Sequence, residues 1–184
     1  KKVSDYLNEL FKEDRKKYEQ YWDDTHQFLK FGAISEDSFY DGVKDIILFK
    51  NTEKEYVTLP EYRERNKSDK KETKVLYTSG EDSQASHLKM MKSLGKEVLF
   101  SDSIIDNHLF QRIEMKEGGT TFSRIDSELL EDLVEKNAEE IVDADNKSEL
   151  DRIKEIFEQG LDDKNIKVDV KRFKDKDISG LVIF

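Results

Sequence analysis

The sequence predicts an α/β protein: a three-helix coil followed by a small α/β sandwich with a βαβ core, then helices and the first strands of a truncated C-terminal module. Three observations lead there. Apolar residues recur at helical spacing through residues 1–50. Residues 63–74 are then nearly all polar. After Val75 short apolar runs alternate with helical stretches, in the order strand, helix, strand, helix, strand that marks a βαβ unit with a parallel sheet.

The elements follow in order. Val3, Tyr6, Leu7, Leu10 and Phe11 line a first helix. Asp14 is placed to cap the second, whose face carries Tyr18, Tyr21, Trp22, Phe28 and Leu29, with Gly32 as its stop. Ser35, followed by Glu36, Asp37 and Ser38, reads as a cap with an acidic first turn. Phe39, Val43, Ile46 and Ile47 form a third stripe. Three short helices with short connections make a compact coil. Thr58-Leu59-Pro60-Glu61 starts a small helix, with proline where its missing N–H costs nothing. Val75-Leu76-Tyr77 is a strand, residues 81–94 a helix stopped by Gly95, residues 97–100 a strand, residues 104–113 a helix and residues 120–125 a strand. Residues 127–160 are helical again, and residues 166–173 and 180–184 read as strands of a further module. The implied divisions are 1–65, 74–126 and 127–184. The chain opens inside a helical pattern without an initiator methionine and closes on an apolar strand whose bare edge would invite aggregation. It is therefore expected to be a piece of a longer protein.

The charge distribution narrows the function classes. The formal net charge is −10, and residues 127–163 hold fourteen acidic and four basic side chains, so the excess sits on one segment. That segment reads as a solvated helical face. Nucleic-acid binding is disfavoured, because phosphate contacts need clustered Lys and Arg. There is no cysteine, which removes disulfides and thiolate metal sites and suits a reducing, cytoplasmic setting. No apolar run approaches the roughly 18 residues of a membrane span, and no signal peptide is recognisable.

Most candidate chemistry has a plainer reading. The turn Thr78-Ser79-Gly80-Glu81-Asp82 holds one glycine, and its two carboxylates occupy the helix start where a phosphate would sit. His26, His87 and His108 lie in separate segments without metal-ligand spacing. No cysteine nucleophile or Gly-x-Ser-x-Gly motif is present. The stretch from Tyr18 to Trp22 could be a binding surface, but aromatics at helical spacing are more often core. The helix over residues 103–113 carries more information. At 100° per residue, Ile105, Leu109 and Ile113 fall on one stripe and should pack on the sheet. Asn107, His108, Gln111 and Ile104 fall on the opposite side, with Phe110 at the flank. A mixed polar and apolar outer face suits weak, promiscuous contacts, and equally suits an ordinary surface helix.

Several stretches, taken in order, resemble one known family. These are Asp5-Tyr6-Leu7-Asn8-Glu9-Leu10, Tyr18 to Trp22, Phe31-Gly32, Phe39-Tyr40-Asp41, Leu48-Phe49-Lys50, Thr58-Leu59-Pro60-Glu61-Tyr62, Tyr77-Thr78-Ser79-Gly80, Gly95-Lys96-Glu97-Val98-Leu99 and Ser101-Asp102-Ser103-Ile104-Ile105-Asp106. They resemble the middle region of the heat-shock protein 90 chaperones, nearer the bacterial HtpG type than the eukaryotic one. The likeness runs from the N-terminus to about residue 130 and weakly beyond. It implies the helical coil and small α/β subdomain of a middle domain, then the start of a C-terminal dimerisation domain. The parent protein would be an ATP- and magnesium-dependent ATPase, with its catalytic residues upstream, so this chain is expected to hold no catalytic, cofactor or metal site. The implied partners are unfolded or partly folded clients, the parent's own N-terminal ATPase domain and a C-terminal dimer partner, with no nucleic acid and no membrane. In bacterial relatives client contacts fall at positions matching Asn107, His108 and Gln111. Ile104 and Phe110 complete the candidate client surface. Relatives commonly carry a bulky aromatic where this chain has His108. Two rivals stand beside the chaperone reading: an interaction scaffold with one fixed, folded partner, and a small enzyme of flavodoxin-like shape. The second needs a phosphate or cofactor loop at a strand end, against which the charge argument speaks.

Overall fold

The computed structural model describes residues 1–67, 72–80, 84–101, 103–127, 148–161, 168–170 and 172. The chain forms two compact units, Lys1–Glu128 and Leu129–Phe184.

The first unit begins with helices α1 (Lys2–Glu13), α2 (Arg15–Ser35) and α3 (Asp37–Val43). Asp14 alone separates α1 from α2: its N–H donates to the Leu10 carbonyl, and its carboxylate accepts the Lys17 N–H at 3.0 Å. The buried stripe of α2 is Tyr18, Trp22, Lys30 and Ala33. Phe11 meets Tyr18 edge to face at 5.2 Å, and the Tyr18 hydroxyl donates to the Ile46 carbonyl at 2.9 Å. Tyr21 and Phe28, expected on this face, point outward instead. Gly32 does not end α2, which runs on to Ser35. A Cβ there would lie 3.1 Å from the Phe39 ring, so this glycine admits the close crossing of α3. The break falls at extended Glu36, and Ser35 closes one helix rather than capping the next.

α1 and α3 meet equally closely. A Cβ on Gly42 would lie 2.9 Å from the Ser4 Cβ, and Asn8 donates to the Gly42 carbonyl at 2.7 Å. Gly42→Ala should therefore destabilise the unit by about 1–3 kcal/mol, as overpacking does, read as an earlier urea midpoint at unchanged slope.

The expected third helix is shorter than its apolar stripe. After Val43 the run Ile46-Ile47-Leu48-Phe49 is buried throughout. Such a run suits a strand better than an amphipathic helix, and β1 (Leu48–Lys50) pairs antiparallel with β2 (Tyr56–Thr58). The Asn51 side-chain oxygen holds the connection by accepting the N–H groups of Glu53 and Glu55. α4 (Leu59–Arg65) follows, with Thr58 and Glu61 forming a reciprocal capping box.

The α/β part contains β3 (Thr73–Thr78), α5 (Ala85–Ser93), β4 (Val98–Phe100), α6 (Ile104–Lys116) and β5 (Thr120–Arg124). Both β4 and β5 pair with β3 in parallel, giving the order β4–β3–β5. The expected βαβ core is thus present. α5 ends in a Schellman motif: Gly95 has φ +63°, its N–H donates to Lys92, and that of Lys96 donates to Met91. Residues 81–83 of the expected helix lie outside the described residues. α6 extends three residues past its expected end.

The helical and sheet parts share one core, which includes Trp22, Tyr40, Leu48, Val57, Tyr62, Val75, Leu99, Leu109 and Phe110. The Tyr62 hydroxyl ties α4 to the sheet, donating to the Glu97 carbonyl at 2.9 Å and accepting the Leu76 N–H at 3.1 Å. Glu117, just past α6, accepts from Lys44 at 2.9 Å and Tyr40 at 3.4 Å and lies 3.5 Å from Arg63. Burial pushes the Glu117 carboxyl up, but Lys44 and Arg63 together hold it below its ordinary value of 4.5. A carboxylate depressed by folding contributes stability above its unfolded-state value and loses it as pH falls through the folded one. Glu117→Gln should cost roughly 1–2 kcal/mol at neutral pH. The gap between wild-type and variant melting temperatures should shrink as pH falls below the ordinary value of 4.5 and through the lower folded-state one; a gap that does not shrink on acidification would refute this.

In the second unit α7 (Glu149–Gly160) starts at Ser148, which forms a capping box with Asp151. Ile156 and Phe157 on it are exposed. Arg172 pairs with Glu149 at 3.0 Å. Residues 168–170 and 172 show no regular structure. The rest of the strand expected at 166–173, the whole of that at 180–184 and most of the acidic stretch before Ser148 lie outside the described residues.

Candidate functional site

α6 is the element on which the candidate residues converge. Ser103 is its extended N-cap, and Asp106 reaches back to accept the Ser103 N–H at 3.3 Å. The inward face is Asp106, Leu109, Phe110 and Ile113, each 3% exposed or less. Ile104 is 81% exposed, and Asn107, His108 and Gln111 also face solvent. Four of the five expected surface residues therefore share one outer stripe. Met115, 75% exposed and eleven positions beyond Ile104, extends it one turn. At 1.5 Å per residue the stripe is about 16 Å long.

Phe110 corrects the expected set. It is buried at the centre of an aromatic cluster, stacked on Phe122 at 4.1 Å and 10° and lying 4.9 Å from Tyr77 and 6.1 Å from Phe49. The wheel placed it at the flank; partners on β1, β3 and β5 draw it inside. Ile105, expected in the packed stripe, is only partly buried. The buried face is thus rotated from Ile105 toward Asp106 and Phe110.

Two buried residues had gone unnoticed in the sequence. Lys30 of α2 and Asp106 form an ion pair at 2.5 Å, with side chains 6% and 1% exposed. The serine–aspartate spacing at 103 and 106 was a readable signal for Asp106. Nothing local marked Lys30 as buried. Farther along, Arg112 pairs with Asp37, and Lys116 meets the same carboxylate at 2.9 Å. The cations of α6 thus face α3, and the side chains of the outer stripe carry no formal charge. Two amides and an imidazole between apolar ends can exchange hydrogen bonds with exposed backbone while covering apolar side chains.

Other places offer less. In the turn after β3, Gln84 accepts the Thr78 hydroxyl at 2.5 Å and the Ser79 N–H at 3.3 Å, so that loop amide already has a partner. A cleft of about 670 Å³ is lined by Glu53, Glu97, Arg65 and Lys92 among others. Four of its charges pair with one another, Lys92 with Glu53 and Arg65 with Glu97, both at 3.1 Å. His26 packs near Trp22, and no three metal-ligating side chains are clustered among the described residues. Among the described residues no helix is long and apolar enough to cross a membrane.

Comparison with known proteins gives a consistent result. A family described as Hsp90 protein matches residues 1–179. The chaperone protein HtpG of Bacteroides fragilis (strain YCH46) is 33% identical over 140 residues, covering 74% of this chain and 21% of that protein. That of Porphyromonas gingivalis (strain ATCC 33277) is 34% identical over 140 residues, covering 74% and 20%. That of Shewanella loihica is 30% identical over 169 residues, covering 85% and 26%. The chain thus spans about a fifth to a quarter of the length of these relatives. Among solved structures, the middle domain of a putative heat shock protein of Plasmodium falciparum superposes with a TM-score of 0.57 at 21% identity, covering 69% of this chain and 55% of that one. That similarity shows a shared fold.

Proposed function

Because the chain belongs to the Hsp90 family, we propose that it serves an ATP-dependent cytoplasmic chaperone as the region that meets unfolded or partly folded clients. In this reading residues 1–65 are the helical coil and residues 74–126 the small α/β subdomain of the middle domain, and residues 127–184 begin the C-terminal module. ATP and magnesium act on the parent's ATPase domain, and this chain relays its conformational change. The observation that carries the client assignment is the uncharged stripe Ile104, Asn107, His108 and Gln111, exposed on a helix whose other face is locked into the core. A short stripe without a deep pocket suits shallow contacts with many sequences.

The test is a fluorescence-anisotropy titration of labelled, reduced and carboxymethylated α-lactalbumin, which stays unfolded, with the 184-residue chain. Asn107→Ala, His108→Ala and Gln111→Ala should each leave stability within about 0.5 kcal/mol, as at surface positions. Each should weaken binding by about 1 kcal/mol or less, because no residue is a deep anchor. The triple variant should weaken it further, and His108→Trp should strengthen it by adding a large amphipathic ring. If the triple variant binds as well as wild type, or the chain ignores unfolded proteins and binds one folded partner tightly, this reading fails.

A further inference from the structure

We infer that Lys30 is a positioning residue for the outer stripe of α6. The inference rests on the client reading above and adds to it the element that sets the stripe's geometry.

α6 is anchored unevenly. Its second half is held by Leu109, Phe110 and Ile113 in the core, by the pairing of Arg112 and Lys116 with Asp37, and by Glu117 at its end. Its first turns are different. Ile104, Asn107 and His108 are exposed, Ile105 is only partly buried, and Asp106 is the only fully buried residue between Ser103 and Leu109. The first turns therefore have one inward anchor, and it is a charge. One Asp106 oxygen accepts the Ser103 N–H, which holds the N-cap; the other takes the Lys30 ammonium at 2.5 Å. Those same turns present Ile104, Asn107 and His108 of the stripe on the face opposite Asp106.

A buried ion pair can often be replaced by neutral groups of similar volume without loss of stability, and in some systems what it supplies is geometric definition. An apolar contact in its place would let the first turns slide or fray, whereas the Lys30–Asp106 bond fixes them against α2. The apparent affinity of a site populated only part of the time falls in proportion to that population.

The test compares wild type with the double variant Lys30→Met and Asp106→Asn in the full 184-residue chain. The asparagine introduced by Asp106→Asn can still accept the Ser103 N–H, and the methionine introduced by Lys30→Met fills the space of the lysine stem. The double variant should melt within about 5 °C of wild type, a small shift for a domain of this size. Amide hydrogen exchange at residues 106–108, the first hydrogen-bonded amides of α6, should nonetheless accelerate at least tenfold, with residues 109–116 unchanged. Binding of the unfolded α-lactalbumin probe should weaken about three- to tenfold. Unchanged exchange in the first turns would overturn the inference whatever the binding shows. Faster exchange with unchanged binding would overturn it too, provided the triple outer-face variant loses binding. If that triple variant also binds normally, the client reading is what fails, and the exchange result alone decides the role of Lys30. Should the double variant prove unstable, Lys30→Met with Asp106→Ser gives the same readout.

Discussion

Replacing Phe110 by alanine should lower the unfolding free energy of the first unit by about 3–5 kcal/mol, the usual cost of deleting a buried aromatic ring. The ring is 3% exposed and stacked on Phe122, and it touches strands from both parts of the unit through Phe49 and Tyr77. No single neighbour can close the space, so the cavity term should remain. Offset-stacked aromatic pairs add about 0.5–1.5 kcal/mol beyond the area they bury, which places this site toward the upper end. The control is Phe28→Ala on α2, where the ring is 79% exposed and the change should stay within about 0.5 kcal/mol. Urea denaturation followed by Trp22 fluorescence measures both. Equal costs at the two positions would mean that Phe110 is not where the structure puts it.

Asp106→Ala should be about as damaging, roughly 3–5 kcal/mol, for an electrostatic reason. It leaves the Lys30 ammonium buried without its partner, which costs far more than the intact pair contributes. It also removes the acceptor of the Ser103 N–H at the start of α6. Adding Lys30→Met to Asp106→Ala should recover much of the loss, since no charge is then stranded in the interior. A double-mutant cycle with additive costs would show that the two residues do not interact.

How far these features could be read from the sequence depends on the range of the contacts that create them. The assignment of Leu109 and Ile113 inward and of Asn107, His108 and Gln111 outward needed only the helical period, and it matches the structure. The strands on either side of α5, and the stop at Gly95, were likewise written in local residues. Phe110 was not, because its place depends on Phe122 and Tyr77, which come from other strands. Lys30 sits between Leu29 and Phe31, and its burial follows from a carboxylate 76 residues away. Gly32 looked like a helix stop because glycine usually serves as one, whereas here it makes room for Phe39. The β1–β2 hairpin was hidden by a connection without glycine or proline, in which Lys54 takes the positive φ. Met115 was missed because the expected helix ended at Ile113.

On the proposed reading the outer stripe of α6 is the surface that meets unfolded protein. The most direct test is a two-dimensional NMR titration of the isotopically labelled 184-residue chain with reduced, carboxymethylated α-lactalbumin. Progressive shifts are expected at the amides of Ile104, Asn107, His108 and Gln111 and at the Asn107 and Gln111 side-chain amides, while buried Leu109 and Ile113 move less. Shifts centred on another surface, with these resonances unmoved at saturation, would contradict it.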